Sequence, residues 1–83
     1  MKRLELRNVP ADLIRGYLLS EFGGREQPGG SIEGEGWVVR FEEGEPVRLG
    51  PNTVVPVLFV EIDGPDVERA TAFVIRRSMR GGG

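Results

Sequence analysis

Near the carboxyl end, Arg76 and Arg80 stand four residues apart, the spacing that brings two side chains onto one face of a helix. Two guanidinium groups so placed suit forked hydrogen bonds to a small anionic ligand or an acidic partner. From Thr71 onward there is no Asp or Glu to neutralise them. Together with Arg77 they also complement the negative end of a helix dipole, so both roles stand open. Five glutamates, Glu33, Glu35, Glu42, Glu43 and Glu45, gather around a predicted hairpin. Carboxylates suit a hard cation, but no acidic loop with ligands at alternate positions accompanies them, and no metal is expected. Gly34-Glu35-Gly36 opens like a dinucleotide loop, yet Val39 stands where Gly or Ala is required and a strand follows in place of a helix. The lone lysine, Lys2, is far from any phosphate-cradling loop.

Bond-making chemistry is harder still to build. The chain has no histidine and no cysteine, which removes the commonest general base, the thiolate nucleophile and the usual transition-metal ligands. The hydroxyls of Tyr17, Ser20, Ser31, Thr53, Thr71 and Ser78 have no imidazole to activate them. The expectation is a protein that is not an enzyme and holds no cofactor. A net charge of −2 argues against nucleic acid as a partner. No apolar run approaches the ~18 residues of a membrane span, and the amino-terminal residues are too polar for a secretory leader, so a cytoplasmic protein is expected. Ten arginines against one lysine fit either surface ion-pair networks of the thermophile kind or GC-rich coding.

These residues need elements to position them. Lys2 to Val9 alternates, with Leu4 and Leu6 on one side and Arg3, Glu5 and Arg7 on the other, which predicts a half-buried strand. Pro10 opens a helix whose stripe is Leu13, Ile14, Tyr17, Leu18 and Phe22. Gly16 within it predicts a close crossing over a sheet, and Gly23–Gly24 ends it. Arg25 to Ser31 reads as a loop. From Ile32 to Glu43, Trp37, Val39 and Phe41 point inward while Val38, Arg40 and Glu42 point outward, and Gly34 and Gly36 allow a division into two strands. Glu43–Gly44 signals a hairpin, Pro46 to Leu49 a short strand, and Gly50-Pro51-Asn52 a turn. Val54 to Ile62 is apolar on both parities and predicts the most buried strand, irregular near Pro56. Pro65 starts a second helix with Val67, Ala70, Phe73, Val74 and Ile75 toward the sheet.

The order β-α-β-β-(β)-β-α predicts an α+β two-layer sandwich: one antiparallel sheet with both helices on one face. A single domain over residues 1–80 is expected, followed by a flexible glycine tail at 81–83. Val38, Val55 and Val57 fall on the parity away from the helices, with Trp37 nearby, and predict a partly apolar open face that meets a second copy or another protein. That makes a non-catalytic binding or self-association module the leading reading. A small-ligand domain with a pocket between sheet and helices, lined by Tyr17, Trp37 and Phe73, is the alternative. A third is a carrier ending in Gly82–Gly83, although carriers of that kind open with a hairpin and place their glycines after a strand.

Three segments, Gly36-Trp37-Val38-Val39, Glu43-Gly44-Glu45-Pro46 and Val60-Glu61-Ile62-Asp63-Gly64-Pro65, give the chain a family likeness. It resembles a small bacterial domain similar to the carboxyl-terminal module of some proteins related to the sulfur-carrying small subunit of molybdopterin synthase. The resemblance implies a two-layer fold like one half of the TATA-binding protein, or ferredoxin-like. It brings no catalytic residue, and implies a role accessory to molybdenum-cofactor or sulfur-transfer proteins.

Overall fold

In the computed structural model, which describes residues 1–81 and the side chains of residues 1–79, the alternating run Lys2–Arg7 is strand β1. Asn8, at φ 61°, and Pro10 then turn the chain into helix α1, Ala11–Glu21. Strands β2 (Arg25–Glu26), β3 (Ile32–Gly34), β4 (Trp37–Glu43), β5 (Val47–Arg48), β6 (Val54–Val55) and β7 (Val57–Asp63) follow, and helix α2 spans Val67–Gly81. Five strands form one antiparallel sheet in the order β1-β7-β4-β3-β2, while β5 and β6 pair as a separate ribbon.

Register explains which residues are inside. β7 lies between β1 and β4, with Val60 opposite both Leu4 and Phe41, and Ile62 opposite Val39. Side chains alternate across a strand, so this row faces one side together. There it meets Ile14 and Leu18 of α1 and Ala70 and Val74 of α2, all fully buried. Ile32, Trp37, Leu58, Val60 and Ile62 complete the core. The two helices therefore share one face of the sheet, and the α+β sandwich expected from the element order is what forms.

Several local expectations change. Gly16 meets nothing within 4 Å, so it marks no crossing over the sheet. Arg25–Glu26, expected as loop, pairs with Ile32–Glu33 as a short edge strand. Ile32–Glu43 does divide, at Gly36 (φ 85°), and the last apolar strand does break at Pro56. Glu43–Gly44 makes no hairpin; β4 runs on beside β7, with the Gly44 N–H donating to the Val57 carbonyl at 2.9 Å. Phe59 lies across that glycine, where a Cβ would stand 2.6 Å from its ring. α2 begins at Val67, two residues after Pro65, and takes in Gly81. Its buried stripe is Ala70, Thr71, Val74 and Ser78, not Ile75, which is 42% exposed. Residues spaced at three and four fix that stripe, and Ile75 falls one step beyond it. Gly82 and Gly83 of the expected tail lie outside the described residues.

Candidate functional site

The helices leave the other face of the sheet uncovered. It carries Arg3, Glu5 and Arg7 from β1, Val57, Phe59, Glu61 and Asp63 from β7, and Val38, Arg40 and Glu42 from β4. Across three strands, Arg3, Glu61 and Arg40 stand directly opposite one another, a row of alternating sign. Arg3 pairs with Glu61, Arg40 with Asp63 at 3.3 Å, and Arg7 with Glu5 at 3.0 Å. The amino-terminal ammonium reaches Asp63 at 3.6 Å. Opposite charges set across neighbouring strands, as in Arg3–Glu61 and Arg40–Asp63, stabilise by about 0.2–1 kcal/mol a pair. The Arg3 guanidinium also sits 4.3 Å from the centroid of the Phe59 ring.

This face is more polar than the sequence suggested. Val55 is not on it but on β6 of the ribbon. Val57 is on it but only 6% exposed. Val38, half-buried, is opposite Asp63 at the far end of β7 from Val57, about 20 Å away at ~3.4 Å per residue. Trp37 belongs to the core: 3% exposed, it lies over Gly34 and 5.2 Å from the Phe22 ring. The predicted valine patch is therefore dispersed. What occupies its place is the ion-pair mosaic around Phe59.

Nor do Tyr17, Trp37 and Phe73 share a pocket among the described residues; Trp37 borders only a shallow surface depression with Gly34, Val38 and Gly64. Phe22 stacks on Phe73 at 4.3 Å and touches Trp37, so aromatic rings fill the space between helices and sheet. A cleft of about 250 Å³ lies instead between the β1–α1 turn and the segments that lead into and out of the ribbon, lined by Val9, Pro10, Gly44, Pro46, Pro56 and Leu58. Gly34-Glu35-Gly36 forms a turn that docks on the start of α2. The Asp66 N–H donates to the Gly36 carbonyl at 2.8 Å, so that donor already has its acceptor. Among the described residues no three acidic side chains converge as a metal would need.

The terminal arginines separate as well. Arg76 is exposed and has no ion pair among the described residues. Arg80 belongs to α2, and its side chain lies outside the described residues. Arg77, read from the sequence only as a complement to the helix dipole, is the engaged one. It pairs with Glu21 and lies 5.0 Å from the Tyr17 ring and 5.5 Å from that of Phe73, clamping α2 to α1. Its signal was present: Arg77 is four residues after Phe73, on the same side of the helix.

Among the described residues no helix is long and apolar enough to cross a membrane. Over residues 2–83 the chain matches the model of a family described as archaeal MoaD-like protein. No curated protein matches it. The relation expected from the three motifs thus holds, with an archaeal family in place of a bacterial one.

Proposed function

Because this chain belongs to the archaeal MoaD-like protein family, we propose that it is a non-catalytic protein-binding module, accessory to proteins of molybdenum-cofactor or sulfur-transfer chemistry. One observation carries the reading: the helices take one face of the sheet and leave the other, with Val38, Arg40, Phe59 and the ion-pair row, free for contact. A partner with alternating charges and a central apolar side chain complements such a face, which favours specificity and rate of encounter more than raw affinity. Absence of imidazole and thiol from the chain supports contact over turnover. The test is affinity capture from extract of the source organism. Wild type retains an identified molybdenum-cofactor or sulfur-transfer protein, and Val38→Asp with Arg40→Glu lowers retention by about tenfold while circular dichroism is unchanged. Undiminished capture by the double variant refutes the surface, and turnover of a substrate by the isolated chain refutes the class.

A second reading is favoured by one point, that the family match takes in Gly82 and Gly83. In a carrier, the Gly83 carboxylate would attack the α-phosphate of ATP held by an adenylating partner, releasing pyrophosphate, and sulfide-level sulfur from a donor would then displace AMP to leave the thiocarboxylate. Intact mass of protein from its native cells would then show a sulfur-for-oxygen exchange confined to the last residue.

A further inference from the structure

The sheet ends very differently at its two edges. β2 is only two residues long, which blunts its edge. β1 is six residues long, with no proline, glycine or bulge, and among the described residues nothing pairs with its outer side. Lys2, Arg3, Glu5 and Arg7 deter an indiscriminate strand, but the unpaired backbone of an edge this long is a template for one whose charges complement them.

The direction of the free backbone groups follows from one bond. The Asn8 N–H donates to the Pro56 carbonyl at 2.9 Å, continuing the β1–β7 ladder by one pair. Hydrogen-bonded pairs alternate along an antiparallel ladder. Leu6, Leu4 and Lys2 therefore turn their backbone groups toward β7, while Arg7, Glu5 and Arg3 turn theirs to solvent.

We propose that the occupant of this edge is a second copy of the chain, its β1 antiparallel to the first about a two-fold axis at Leu4. The register is fixed by charge. An axis at Arg3 sets that residue against itself, and one at Glu5 sets Glu5 against Glu5 and Arg3 against Arg7. An axis at Leu6 runs the pairing into Asn8, whose φ of 61° has already ended the strand. Centred on Leu4, Arg3 stands opposite Glu5 of the second copy, and all outward-turned groups of both residues find partners. The row Arg40–Glu61–Arg3 then gains Glu5 of the second copy as its next member, so the sign alternates across the axis without a break. Leu4 meets Leu4, and Lys2 lays its stem beside Leu6 with its ammonium in water.

The helix layer supplies an independent reason. α2 lies over β1 and β7, and α1 lies toward β3. On α2, Phe73 and Arg77 turn to α1 and Val74 turns to the sheet, which leaves Ile75 and Met79 on the flank above the free edge. They are 42% and 72% exposed, large apolar side chains in water. An α2 straddling two strands sits about half a strand spacing inside the edge. One further spacing of ~4.8 Å brings the two α2 axes to about 10 Å, the distance at which helices pack. Ile75 and Met79 then meet their counterparts across the axis.

The edge shares Arg3 and Glu5 with the open face but not Val38 and Arg40, which lie on β4 and carry the capture test, so either assignment can fail alone. Sedimentation of the intact chain is expected to give twice its 9.1 kDa. Glu5→Arg, which sets Arg against Arg at two symmetric places, weakens the dimer roughly tenfold or more, and Arg3→Glu combined with Glu5→Arg restores it. The chain has no cysteine, so introduced thiols report cleanly. Leu4→Cys brings two Cα atoms to about 4.5 Å in a non-hydrogen-bonded pair, within disulfide reach, and cross-links on oxidation. Glu5→Cys places them at about 7–8 Å and does not. A monomer at every concentration, a dimer indifferent to Glu5→Arg, or cross-linking of Glu5→Cys in preference to Leu4→Cys overturns the proposal. A monomer that still captures its partner through Val38 and Arg40 overturns this proposal alone.

Discussion

Replacing Gly64 with alanine tests how the turn between β3 and β4 is tied to α2. Gly64 has φ 118°, and a Cβ there would stand 2.3 Å from the Gly36 carbonyl oxygen and 2.8 Å from the Trp37 Cα. Both neighbours are backbone, so neither swings aside. A side chain at positive φ costs about 1–2 kcal/mol, and forcing atoms into a filled site about 1–3, giving roughly 2–5 kcal/mol in all. A domain of this length is held by about 4–12 kcal/mol in total. At about 4–8 °C per kcal/mol the midpoint falls by roughly 8–40 °C. Urea and thermal unfolding followed by circular dichroism measure the loss. Hydrogen exchange at the Asp66 amide, which donates to Gly36, should accelerate with it. A loss below about 1 kcal/mol refutes the argument that this backbone contact is rigid.

Gly16→Ala should act in the opposite sense: the site is open and the helix interior favours alanine, so stability rises by up to about 1 kcal/mol in the same urea titration. Arg77→Met keeps the stem but loses the Glu21 pair and the cation over Tyr17 and Phe73, at a cost of about 1–2 kcal/mol. A double-mutant cycle with Glu21→Gln should return a coupling of about 0.5–1 kcal/mol, kept small by the exposure of Glu21. No coupling would mean that the two helices are held by apolar packing alone.

Much of the fold was legible because its signals are local and periodic. Lys2–Arg7 alternates over enough residues to define both faces, and Pro56 announces a break that any strand must respect. Two-residue strands such as Arg25–Glu26 have no period to read; only their pairing with Ile32–Glu33 defines them. Gly44 was misread because a glycine beside Glu looks like a turn, whereas its cause is Phe59, fifteen residues on. Ile75 was placed inside for its hydrophobicity, while Thr71 and Ser78, at the right angles, took the buried positions. The candidate site was harder. Opposing Arg3, Glu61 and Arg40 depends on the register of three strands distant in sequence, and no spacing along the chain encodes it. Val38 and Val57 share parity, but distance along β7 separates them.

The path from Gly44 to Val57 has a consequence for how this chain tolerates change. Its two ends are already joined by a single N–H···O bond of 2.9 Å, and between them the polypeptide makes a detour through the ribbon. Closing a longer or shorter detour alters the entropy by only about 0.6 kcal/mol for each doubling. The ribbon is thus a socket: another peptide, of different length and chemistry, fits between the same two residues while the sheet keeps its alignment and the helices their seat.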